Sequence, residues 1–97
     1  MIRHHVLMSF DEAPDELLDS IVSELRALPA SIPQIQTYVV GRDLGVSENA
    51  ADIAVVAEFE SLDDYAAYSA HPAHVAVLEE LIKPNVSTLT RAQIDLS

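Results

Sequence analysis

The chain of 97 residues has the length of one domain, and 49% of its residues are hydrophobic, which is an ordinary globular composition. Its 16 Asp and Glu residues against five Lys and Arg residues give a formal net charge of −11. This charge argues against nucleic-acid and anionic-membrane partners, because both are bound through cationic side chains.

Residues 2–10 predict a β-strand that ends at a turn-forming acidic segment. Alternate residues of a strand share a face, so this strand presents two different sets of side chains. One set is His4, Val6, Met8 and Phe10, and the other is His5, Leu7 and Ser9. Both sets are largely apolar, which indicates a strand that is covered on both sides.

Residues 14–28 predict an amphipathic helix, because Leu, Ile and Val recur at helical spacing while acidic residues occupy the other face and the first turn. Residues 34–40 and 52–60 alternate in the manner of strands. The intervening residues 41–51 contain both glycines of the chain and predict a loop.

Residues 61–70 predict a short helix, which begins with a serine cap followed by an acidic residue three positions later. The dipeptide His71-Pro72 interrupts it, since the residue before a proline is displaced from helical geometry. A second helix is predicted over residues 72–82, and a last, strongly alternating strand over residues 86–96.

The order of these elements is βαββαβ, which predicts an α+β domain of the ferredoxin-like class spanning residues 1–97. In that fold a four-stranded antiparallel sheet carries both helical segments on one face and leaves the other face uncovered. We expect the uncovered face to present Leu7, Val40, Val56 and Leu89. A face this apolar predicts a homodimer that buries it.

The histidines are the most informative polar residues. His74 lies four residues before Leu78 and eight before Ile82, so it shares the apolar stripe of its helix. We therefore expect a shielded imidazole with a hydrogen-bond partner, because an unpaired buried imidazole would destabilise the fold. A histidine in this position is either a polar residue of the core or a general base in a pocket.

Tyr68 lies six residues before His74, and on one unbroken helix the two side chains would point in different directions. The break at Pro72 re-aims the second helix and allows the two side chains to converge. His4 faces the helices from the first strand. A cavity shared by these three side chains would suit proton transfer, with His74 as base and Tyr68 as hydrogen-bond donor to an oxygen that gains charge.

Other kinds of site have little support in the sequence. The chain has no cysteine, no His-x-x-x-His or His-Glu-x-x-His pair and no nucleophile elbow, and its two glycines, Gly41 and Gly45, are too far apart for a phosphate-binding loop. We therefore expect no metal and no cofactor. No signal-like or membrane-length apolar segment is present, so a cytoplasmic location is expected.

Three segments resemble the stress-responsive dimeric α/β barrel (Dabb) family. They are residues 4–10 (HHVLMSF), 59–65 (FESLDDY) and 68–74 (YSAHPAH). The resemblance extends over nearly the whole chain. It implies a ferredoxin-like fold whose exposed sheet faces pair in a homodimer, forming a dimeric α/β barrel.

Some members of this family cyclise linear polyketides by aldol condensation without a cofactor. The resemblance implies that their catalytic tyrosine and histidine match Tyr68 and His74, and that a first-strand histidine matches His4. A third-strand pocket histidine falls on Ile53, which makes the expected pocket more apolar. We predict that a small apolar ligand is bound by His4, Val6, Met8, Ile53 and Leu78.

Two functions remain open at this point. One is cyclase- or lyase-type proton transfer on a small, polyketide-like carbonyl compound. The other is a structural or stress-protective barrel in which Tyr68 and His74 are polar residues of the core. Heme-degrading and quinol monooxygenases use related barrels, but their motifs fit less well. An enclosed pocket joining His4, Tyr68 and His74 would favour the first function, and solid packing there the second.

Overall fold

A computed structural model describes all residues of the chain, 1–97, as a four-stranded antiparallel sheet with helices packed on one face. The strands are β1 (Ile2–Phe10), β2 (Thr37–Arg42), β3 (Ile53–Phe59) and β4 (Val86–Asp95). The helices are α1 (Asp15–Arg26), α2 (Leu62–Ala70) and α3 (Pro72–Val77), with a 3-10 turn at Leu28–Ala30 and a π-helical turn at Leu78–Ile82. The predicted ferredoxin-like α+β fold is confirmed.

The strand order β2-β3-β1-β4 places β1 at the centre of the sheet. His4 therefore pairs with Ala57 on one side and Gln93 on the other, and Val6 pairs with Val55 and Arg91. Residues that pair directly across neighbouring strands share a face of the sheet. The helix-facing side of β1 thus brings its alternate residues next to side chains of both neighbouring strands.

The core lies between this face and the helices. Helix α1 contributes its apolar stripe, and the sheet contributes the inner residues of β1 and β3. The largest fully buried side chains are Phe59, Met8, Ile21, Ile32 and Ile53. No helix of the structure is both long enough and apolar enough to cross a membrane.

The outer face of the sheet differs from the prediction at two of the four named positions. Leu7 and Val56 lie on it, as expected. Val40 was wrongly placed there: it pairs with Val55 and is only 3% exposed. Leu89 was also wrongly placed, because it pairs with the buried Met8 and faces the helices.

The cause differs between the two strands: the faces of β2 are similarly hydrophobic, whereas β4 turns its more polar set, Arg91 and Gln93 with Leu89, toward the helices. A strand with apolar residues on both faces carries no sequence signal that distinguishes inside from outside. In β2 the outward position belongs to Val39, which is 66% exposed, and in β4 it belongs to Ile94, which is 50% exposed. The outer face is therefore apolar, as predicted, but through a partly different set of residues.

The break between α2 and α3 is present where the sequence predicts it. His71 adopts an extended conformation, with ψ at 134°, and Pro72 is the first residue of α3. The His71 Nδ1 atom accepts a hydrogen bond of 3.1 Å from the backbone N–H of Ala73. His71 thereby caps α3, so the second helix starts in a new direction.

Replacing His71 with alanine removes this cap and is expected to lower the free energy of unfolding by about 1 kcal/mol. Urea denaturation followed by circular dichroism measures the loss. Asparagine offers an oxygen acceptor at a favoured cap position, so His71→Asn should regain most of the stability. A His71→Asn protein as unstable as His71→Ala would contradict the capping role.

Candidate functional site

A cavity of about 120 Å³ lies between the helix-facing side of the sheet and helices α2 and α3. Six of the seven site residues that the sequence predicts line this cavity. They are His4, Val6, Met8, Tyr68, His74 and Leu78. The cavity therefore joins His4, Tyr68 and His74, the three polar side chains whose convergence the break at Pro72 was expected to allow.

Ile53 does not line the cavity. It is fully buried and pairs with Met8 near the start of β3. Val55, two residues further along the same face of β3, lines the cavity in its place. Two residues of a strand span about 6.5 Å, which is enough to separate one wall position from another.

His74 is half-buried and its ring is held by one hydrogen bond. Its Nδ1 lies 3.0 Å from the carbonyl oxygen of Ser69. A carbonyl can only accept, so Nδ1 carries the proton and donates it, and Nε2 has a free lone pair with no partner in the protein. Burial lowers the pKa of His74, as does the charge of Arg91, whereas the Ser69 bond opposes this shift. His74 is thus a neutral base at neutral pH.

Tyr68 lies against His74 and is only 2% exposed. The two ring centroids are 4.4 Å apart. The Tyr68 hydroxyl lies 2.9 Å from that of Tyr38, and this hydrogen bond uses only one of the two hydroxyl protons. Burial raises the pKa of both tyrosines, so both stay protonated and one proton remains to donate to a ligand.

His4 forms the opposite wall and is only 3% exposed. The Nε2 amide group of Gln93 donates a hydrogen bond of 2.8 Å to His4 Nδ1, which places the imidazole proton on Nε2. Burial, together with the charge of Arg91, lowers the pKa of His4 to about 4. His4 is therefore a neutral hydrogen-bond donor, unlike His74.

Sequence reasoning missed Tyr38, Gln93 and Arg91. Tyr38 shares its face of β2 with Val40, and Arg91 and Gln93 share their face of β4 with Leu89, so the wrong assignment of these faces to the outside hid all three. Arg91 lines the cavity directly. The signal that could have found them is the pairing of β4 with β1, which sets Gln93 beside His4 and Arg91 beside Val6.

No group of three or more His, Asp or Glu side chains comes together as a candidate metal centre. The polar groups at the cavity are instead two neutral imidazoles, tyrosine hydroxyls and one guanidinium. Such a set can accept a proton, donate hydrogen bonds and hold a negative charge.

The fold and the site define a ferredoxin-like domain with a small polar-edged cavity beneath its helices. The sequence profile of the stress-responsive A/B barrel domain family matches residues 2–97. The chain belongs to this family, as the motifs in its sequence indicated. No curated protein sequence matches the chain.

Solved structures extend this relationship. A dimeric ferredoxin-like protein of unknown function from Thermobifida fusca is 33% identical, with a TM-score of 0.90, over 98% of this chain and 90% of that one. A dimeric protein of unknown function with a ferredoxin-like fold from Bacteroides fragilis is 29% identical, with a TM-score of 0.87, over 98% and 95% of the two chains.

A hydroxynitrile lyase from Passiflora edulis is 18% identical, with a TM-score of 0.83, over 99% of this chain and 94% of that one. At this level of identity the similarity shows a shared fold and nothing about the reaction. The chain therefore belongs to this family by its sequence, and it shares its fold with an enzyme.

The buried neutral state of His4 predicts a pH-dependent stability. The imidazole binds a proton near pH 6.5 in the unfolded chain but only near pH 4 in the fold. Between these values the unfolded state binds more protons, so the free energy of unfolding falls as the pH falls, by on the order of 2 kcal/mol. Urea denaturation across this pH range measures the loss.

The variant His4→Gln cannot titrate at this position and serves as the control. Its stability should change less over the same pH range than that of the wild type. Equal losses in the two proteins would contradict the buried neutral imidazole.

Proposed function

We propose that this protein is a homodimeric barrel whose cavity binds a small carbonyl compound and catalyses proton transfer beside the carbonyl group, in the manner of a cyclase or lyase and without a cofactor. One observation carries the proposal. Tyr68 and His74 line the same cavity with their rings 4.4 Å apart, so one small ligand reaches both.

The base in this mechanism is Nε2 of His74, the ring nitrogen without a protein partner. It takes a proton from the carbon next to the carbonyl, and the electron pair of that C–H bond moves onto the carbonyl oxygen. The enolate carbon then forms a bond to a second carbonyl of the substrate, whose oxygen takes the proton back from His74. No oxidant or reductant is needed.

The enolate oxygen needs hydrogen-bond donors that are already in place. Tyr68 supplies one, and its contact with the Tyr38 hydroxyl supports this role because hydrogen bonds in a chain strengthen one another. His4 is a second donor on the opposite wall. A buried donor aimed at the oxygen stabilises charge more strongly than water does, since the surroundings have a low dielectric constant.

The apolar walls of the cavity favour the hydrocarbon part of such a substrate. Val6, Met8 and Leu78 supply these walls. A volume of about 120 Å³ suits a compact ligand rather than a long chain. The hydroxynitrile lyase of the same fold supports lyase chemistry on small molecules as one use of this architecture.

Exchange of carbon-bound hydrogen for deuterium tests the proton transfer. Methyl isoamyl ketone in deuterium oxide, followed by NMR, should exchange faster with the wild type than with buffer. We expect His74→Gln to lower the catalysed rate about 100-fold, because the base is lost, and Tyr68→Phe to lower it about tenfold.

His71→Asn is the matched control, since it replaces a histidine near the cavity that does not line it. This variant should exchange the ketone at the wild-type rate. If the wild type does not accelerate exchange, or if His74→Gln exchanges as fast as the wild type, the proton-transfer function is wrong. The polar residues would then serve the structure of the barrel.

The proposed homodimer would form through the outer face of the sheet. Leu7, Val39 and Ile94 are each at least half exposed on this face, beside Val56. The Nδ1 atom of His5, also on this face, is buried without a hydrogen-bond partner in the single chain. The related proteins from Thermobifida fusca and Bacteroides fragilis are described as dimeric. Pairing of two such faces would enclose a barrel.

Light scattering should give a mass near twice the 10.6 kDa of one chain. Val39→Glu should shift the protein toward monomer, because it places two buried carboxylates in the interface. Leu62→Glu is the matched control: Leu62 is 65% exposed, much like Val39, but lies on α2. A monomeric wild type, or equal dimerisation of both variants, would contradict the interface.

A further inference from the structure

One cationic side chain at the cavity has no partner in the protein. The chain has five Lys and Arg residues, and four of them are paired. Arg3 binds Glu58, Arg26 binds the carbonyl of Val40, Arg42 binds Asp15 and Asp19, and Lys83 binds Glu79. Arg91 makes no hydrogen bond and no ion pair, although the chain carries 16 acidic residues.

The missing partner matters because of where Arg91 lies in the structure. Arg91 lies on the inner face of β4, opposite Val6, and lines the cavity beside His4, Tyr68 and His74. No carboxylate lines the cavity. The guanidinium is therefore a solvent-exposed positive charge at the cavity, without a counter-charge in the protein.

The charge of Arg91 acts on the cavity as a whole. Burial is the larger influence on the pKa of each neighbouring group: Arg91 adds to its lowering of the pKa of His4 and His74, and opposes its raising of the pKa of Tyr68. A positive field of this kind favours a ligand group that bears a negative charge. A guanidinium presents its N–H donors as a planar fork that matches both oxygens of a carboxylate.

We propose that the substrate is a small keto acid whose carboxylate is bound by Arg91 while its ketone contacts Tyr68 and His74 from the cavity side. This inference rests on the proposed function, since it assigns the class of substrate to the same cavity. The protein as a whole repels anions, with a net charge of −11, so selectivity for a carboxylate has to come from this one side chain.

Two ketones of matched shape test the inference by binding alone. Levulinate and methyl isoamyl ketone differ only in that a carboxylate in the first stands where the second has an isopropyl group. Titration of the ¹⁵N-labelled protein, followed by amide NMR, measures both affinities. The wild type should bind levulinate at least about tenfold more tightly, as expected for a charge-assisted contact, and salt should weaken this preference.

Arg91→Gln should abolish the preference for levulinate and leave the affinity for methyl isoamyl ketone unchanged. Lys83→Gln removes one positive charge away from the cavity and should keep the preference. Arg91 has no protein partner, so we expect its variant to fold, and circular dichroism checks this. The wild-type comparison of the two ketones needs no variant at all.

The inference is overturned if the wild type binds both ketones equally. It is also overturned if levulinate changes the amide signals of the wild type no more than buffer alone does. It is also overturned if Arg91→Gln keeps the preference, or if Lys83→Gln loses it equally, since net charge alone would then explain it. These titrations measure binding, whereas the deuterium assay measures proton transfer. Failure of the carboxylate site is thus distinct from failure of the catalytic function.

Discussion

The hydrogen bond between the Ser69 carbonyl and His74 Nδ1 is the contact on which the site depends. Ser69 lies in the last turn of α2, where backbone carbonyls have no partner within the helix. His74 lies beyond the break and reaches back to that carbonyl. One bond thereby satisfies a helix end, fixes the imidazole tautomer and holds the ring against Tyr68.

This arrangement is possible only because the helix is interrupted. Six residues of an unbroken helix turn through about 240°, which would point Tyr68 and His74 in different directions. Pro72 cannot continue α2, and the His71 cap starts α3 at a new angle. A local feature of the backbone thus decides whether two side chains share a cavity.

Two other polar groups of the cavity are likewise each held by one hydrogen bond within the protein. Burying a polar group without a partner destabilises the fold, and the buried His4 and Tyr68 each avoid this with one internal hydrogen bond. Gln93 binds His4, and Tyr38 binds Tyr68. Each contact leaves one donor unused, so the walls are ordered and still able to bind a ligand. Arg91 differs because its side chain is exposed to solvent and has no partner in the protein.

Much of this could be predicted from the sequence. Helical and strand periodicity gave the βαββαβ order, and the proline break together with the motif residues pointed to His4, Tyr68 and His74. The facing of β2 and β4 could not be predicted, because β2 is apolar on both sides and β4 turns its more polar side, with Arg91 and Gln93, toward the helices.

That one ambiguity accounts for the errors at Val40 and Leu89 and for the omission of Tyr38 and Arg91. It is resolved only by pairing with β1 and β3, which is a property of the folded sheet. The choice of Ile53 over Val55 has a similar origin, since both side chains point inward from β3 and only the position of the cavity separates them.

The tautomer of His74 is the most direct test of how the site is built. Long-range ¹⁵N–¹H correlation spectra of the labelled protein at neutral pH distinguish a protonated ring nitrogen from one with a free lone pair. We predict a protonated Nδ1 and an unprotonated Nε2 for His74. A proton on Nε2 would contradict the structure, because the Ser69 bond could not then form and no free base would be left at the cavity.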